Sequence, residues 1–125
     1  MATINSNNAE NLRKEADEIA AKLEKGTLKL HTPIKGGGKE LTEIGYDFTA
    51  LTGWEYAEAL DADANATNAF RLTRKQAVSL FAAAVAKETP ELDAKDVKER
   101  LSAKDAVQAV NLATIFFVNS GREAR

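Results

Sequence analysis

LHTPIKGGGKELTEIGYDFTALTGWE, residues Leu30 to Glu55, decides how this chain folds. Leu28, Leu30, Thr32 and Ile34 alternate with Lys29, His31 and Pro33, the period of a half-buried strand. Pro33 has no N–H to give a ladder, which places this strand at an edge or near its end. Gly36, Gly37 and Gly38 permit positive φ and a reversal. Lys39 to Tyr46 is then the return strand of a hairpin spanning 28–46. A two-stranded hairpin is marginal in water, so it has to pack on helices or pair with another chain. Thr52 and Glu55 close the stretch as a capping box, Thr52 accepting from the Glu55 amide and Glu55 reaching back to that of Thr52.

Helical periodicity surrounds the hairpin. Residues 1–8 are polar and expected to be disordered. Leu12, Ala16, Ile19, Ala20 and Leu23 form the apolar stripe of an amphipathic helix over 9–25, with Gly26 as its C′ residue. After the hairpin comes a helical part over 52–120. Its first helix carries Tyr56, Ala57 and Leu60 and fades in Asp61 to Asn68. Thr73 and Gln76 form a second capping box, ahead of the stripe Ala77, Leu80, Phe81, Ala84 and Val85 that Pro90 ends. Asp93 and Asp96 start a short helix. Ser102 and Asp105 start the last one, expected to reach Asn119 before Gly121. The architecture is therefore α+β: an N-terminal helix and a small antiparallel hairpin packed against a bundle of about four helices, in one domain over 9–125.

Composition narrows the functional classes. The 125 residues carry a net charge of −2, which gives no strong pull towards phosphate backbones or anionic membranes. There is no cysteine, which excludes a thiolate nucleophile, a disulfide and a Cys-based metal site. The first residues lack the basic and apolar regions of a secretory signal, and an intracellular location is expected.

Each motif with a chemical reading fails on a specific requirement. Asp61, Asp63 and Asn65 resemble the opening of a calcium loop, but Ala66 and Leu72 stand where glycine and a bidentate glutamate are needed. Gly36 to Lys39 lacks the Ser or Thr and the helix start of a phosphate loop. His31 is the only histidine and has no orienting carboxylate nearby in the chain. Tyr46, Phe48, Trp54, Tyr56 and Phe70 are interleaved with acids rather than a basic groove, so they read as packing of the hairpin on the next helix rather than base stacking. No catalytic residue, cofactor-binding residue or metal ligand is expected, and no enzymatic activity.

The last helix stands apart. Its residues from Ala106 to Val118 are apolar around nearly the whole circumference, so it is either central in the fold or buried against another chain. Val110, Ala113, Phe116, Phe117 and Val118 are the candidate partner-binding residues, and the hairpin edge is a candidate surface for self-association.

The order of residues across Leu28 to Ser120 resembles phage tail assembly chaperones. The resemblance is carried by Leu30, Pro33-Ile34, the glycine turn, Lys39-Glu40, Thr42-Glu43-Ile44, Asp47-Phe48, Leu51-Thr52-Gly53 and Glu55. It continues through the alanine-rich Phe81 to Lys87, the pattern Leu101, Asp105, Ala106, Val107, and the closing Phe116-Phe117-Val118-Asn119-Ser120. A long charged helix before Gly26 and a triple glycine depart from the family pattern. The resemblance implies a non-enzymatic protein of the host cytoplasm, absent from the mature virion, which binds the tape-measure protein and hands over tail tube protein. It also implies a longer form made by frameshifting. The alternative class is a small helical regulatory or nucleic-acid-binding domain.

Overall fold

The computed structural model describes residues 23–61, 63 and 71–123, with side chains as far as Ser120. The expected disorder over 1–8 and most of the helix over 9–25 lie outside these residues. β1 (Lys25–Gly36) and β2 (Lys39–Asp47) form an antiparallel hairpin. A 3-10 turn (Phe48–Ala50) leads into α1 (Gly53–Asp61), followed by α2 (Arg74–Glu88), α3 (Ala94–Arg100) and α4 (Ala103–Glu123). The α+β architecture expected from the sequence is therefore the one observed. Leu23 and Glu24 are helical and Lys25 already belongs to β1, so Gly26 is a strand residue and not a helix terminator.

Two glycines make the hairpin tight. Gly36 pairs with Lys39, leaving Gly37 and Gly38 as a two-residue loop with φ of 59° and 77°. Positive φ at both positions is the requirement of a type I′ turn, whose twist matches the flanking strands. The ladder is regular from Lys25↔Asp47 to Lys29↔Glu43 and resumes at Ile34↔Leu41. Between those pairs, Leu30 to Pro33 bulge from β1 opposite Thr42 alone, which accommodates the proline without a ladder bond. Leu28 and Leu30 pack on the core and Ile34 is buried in it, while Thr32, in the bulge, is exposed.

The central element is α2. It packs against α1, α3, α4, β2 and the 3-10 turn, and Ala77, Leu80, Phe81, Ala82, Ala84 and Val85 have no solvent exposure. Alanines let several neighbours approach one helix closely, which a ring of large side chains would prevent. Its ends are well specified. Thr73 accepts from the Gln76 amide and Gln76 Oε1 accepts from that of Thr73. Gln76 Nε2 also donates to the Leu60 carbonyl, and the Thr73 hydroxyl donates to Asp63. At the other end Thr89, extended as a residue before proline must be, caps the helix ahead of Pro90. The Thr52/Glu55 and Asp93/Asp96 capping boxes are also formed.

Tyr46, Phe48 and Phe81 make an aromatic cluster with centroid separations of 5.4 to 6.3 Å. Phe116 from α4 stacks on Phe48 at 4.9 Å. Ala59 is the buried residue of α1, and Ala57 is exposed. Two expectations are corrected. Trp54 is 75% exposed rather than packed, because it falls on the solvent side of α1. α4 continues through Gly121 to Glu123, since an interior glycine costs a helix only about 1 kcal/mol.

Candidate functional site

Three side-chain ties join the hairpin to the helical part. Asp105, third residue of α4, accepts from the backbone N–H groups of His31 at 2.7 Å and Thr32 at 3.1 Å. It also accepts from the Ser102 hydroxyl at 3.0 Å. One carboxylate thus satisfies the two amides that the β1 bulge removes from the ladder. Asp105 is 3% exposed. Burial alone would raise its pKa, but the His31 and Thr32 amides, the Ser102 hydroxyl and the His31 charge together hold it below the usual value.

Two further ties pin the strands. The Thr89 hydroxyl accepts from the Gly45 N–H at 3.1 Å and donates to the Gly45 carbonyl at 2.9 Å. A Cβ on Gly45 would come within 2.9 Å of Glu88 Cγ, so a side chain there would require the exposed Glu88 to move. Arg100 donates to the Lys35 carbonyl at 2.6 Å. Side chains of the helices and of the cap residue Thr89 therefore occupy the hairpin's outer backbone groups at three places, and strand addition at those places would require breaking their bonds.

The five candidate partner-binding residues separate. Ala113 is completely buried, so it serves the core and is not available to a partner. Val110 and Phe116 are partly buried against that core, Phe116 through its stack on Phe48. Phe117 is half-buried outside the core cluster, and Val118 is 51% exposed. The reason is that α4 has one flank on α2 and the hairpin and the opposite flank in solvent. That solvent flank carries Val107, Ile115 and Val118, spaced eight and eleven residues from Val107 and hence on one side of the helix. The sequence places Ile115 within the apolar stretch Val110 to Val118 but singles out neither it nor Val107, because an all-round apolar helix does not disclose which flank is covered.

His31 is exposed, with Nε2 3.2 Å from Lys104 Nζ. Among the described residues no three His, Asp or Glu side chains gather as a metal site, and no helix is long and apolar enough to cross a membrane. No protein-family model, curated protein or solved structure matches the chain.

Proposed function

We propose that this chain is a phage tail assembly chaperone, binding the tape-measure protein in the host cytoplasm and assisting assembly of the tail tube without catalysis. The observation that carries the reading is the solvent flank of α4, where Val107, Ile115 and Val118 lie uncovered on a helix whose other flank is anchored in the core. A holding protein needs apolar surface that a helical client can cover and release, presented on a scaffold that does not itself open. The resemblance supports the same reading, since its Asp105 and Leu101 belong to the segment that starts this helix.

The test is co-expression with the tape-measure protein of the same genome. Wild-type chain is expected to keep that client soluble, and Ile115→Asp with Val118→Asp to lose the effect while retaining the native circular dichroism. A folded double variant that still solubilises the client would remove α4 as the client surface. A wild-type chain without effect on the client would remove the chaperone reading itself.

A further inference from the structure

The solvent flank of α4 has an order of its own. Val107, Ile115 and Val118 are 58%, 36% and 51% exposed, and Asn111, also exposed, lies between the first two. The steps from Val107 to Asn111, Ile115 and Val118 are four, four and three residues, 11 in all. That is close to three helical turns, so the line runs nearly straight for about 16 Å. Gln108 and Thr114 stand about 60° to either side of Asn111 around the axis, at the borders of the line.

Two observations define what this line can accept. The first is neutrality. From Ala106 to Gly121 no residue is charged, in a chain of which 29% is charged. Asp105, just before that stretch, is buried and engaged with β1. A carboxylate or ammonium laid along the line therefore loses water and finds no counter-charge. The second is Asn111 itself, which interrupts the aliphatic residues with an amide. A helix that covers the line takes water from that amide, which then needs a polar group opposite. One polar residue in an otherwise apolar helix seam fixes the register, because a shifted alignment sets it against an aliphatic side chain.

We infer that Asn111 sets the register of the client helix on α4. The segment selected carries an uncharged stripe, with aliphatic residues against Val107, Ile115 and Val118 and one Asn, Gln, Ser or Thr against Asn111. This rests on the reading of the flank as the client surface, and adds which client segment it takes and in which alignment. A second copy of this chain is the poorer occupant. A line about 16 Å long and one helix, about 10 Å, wide falls far below the ~800 Å² per partner of a stable dimer. The same small area suits a client that has to be released.

The probes are four labelled, stapled helical peptides of about 15 residues, long enough to cover the line. Each has a four-position stripe at the same spacing, with three leucines and one asparagine, and the asparagine takes each position in turn. Fluorescence anisotropy should show one of the two inner-asparagine peptides binding the wild-type chain about tenfold more tightly than both outer ones. Which inner peptide wins reports the direction of the client. Asn111→Leu, at an exposed position, should bring all four within about twofold of one another. Affinities should change less than about twofold between about 50 and 500 mM salt, since no charge pair forms. Equal binding of the four by wild type, a preference that survives Asn111→Leu, or a steep fall with salt would overturn the inference. If equal binding is still lost in Ile115→Asp with Val118→Asp, the flank remains a client surface and only the register falls. Failure of every peptide to bind would sink the inference, while co-expression with the tape-measure protein decides the chaperone reading separately. A wild-type chain that sediments as a dimer split by Ile115→Asp would give the line to a second copy instead.

Discussion

Asp105 combines three properties that rarely coincide: a carboxylate, near-complete burial and two backbone donors from a strand more than 70 residues away in the chain. Its replacement by alanine leaves the His31 and Thr32 amides, both partly buried, without their charged acceptor, which costs on the order of 1–3 kcal/mol. Asp105→Asn keeps the shape and removes the charge, which isolates the pH dependence. The folded carboxyl titrates below its unfolded value, so its stabilisation is complete above the ordinary aspartate pKa of about 3.9 and is lost as pH falls through the folded value. Urea midpoints should therefore place Asp105→Asn below wild type at pH about 7, and the gap should narrow below pH about 4. An equal gap at both ends would mean that the charge contributes nothing. Glu55 is also held below its ordinary value, first by Lys87 at 2.7 Å and then by Thr52, but it lies at the surface, where such pairs contribute little.

At the scale of elements, the fold is a set of helix ends tied to neighbours, and the ties differ in depth. The Thr52 box is exposed, whereas Thr73 is linked to Asp63 and to Gln76, which in turn reaches the end of α1. Thr73→Ala is expected to cost about 1–2 kcal/mol and Thr52→Ala about 0.5–1 kcal/mol, measured as changes in chemical denaturation. Thr89→Val is nearly isosteric but leaves both polar groups of Gly45 without their partner. It should cost on the order of 1–3 kcal/mol and speed amide exchange at Gly45 more than at Ile44. Unchanged exchange at Gly45 would count against the tie. The Thr52 and Thr73 capping boxes, the helix start at Asp93 and the glycine turn were readable in the sequence because their code is local, within three residues. The Thr89–Gly45 and Asp105–His31 ties were not, since nothing in either local pattern names its distant partner. The central place of α2 was hidden for another reason. Alanine gives a weak hydrophobic signal, so the apolar α4 was the helix read as either central or buried against another chain, while the alanine-rich α2 holds the central position.

For the whole molecule, the decisive division is between the apolar surface that holds the fold together and the apolar surface left in solvent, and α4 carries both on opposite flanks. Sequence periodicity located this helix and its apolar character, but the choice of flank depends on where α2 and Phe48 sit, which is a tertiary fact. The division makes neighbouring residues behave differently. Phe116→Asp breaks the 4.9 Å stack on Phe48 and puts a carboxylate beside the aromatic cluster, with an expected loss of about 2–4 kcal/mol. Val118→Asp, two residues on and half exposed, should stay within about 0.5 kcal/mol of wild type. Thermal melts of the two variants test this directly, and similar losses for both would mean that Val118 is covered. Only the solvent-facing substitutions can therefore report on partner binding. A client assay that relied on Phe116→Asp would confuse a lost surface with a lost fold, whereas Val107, Ile115 and Val118 can each be changed with the scaffold intact.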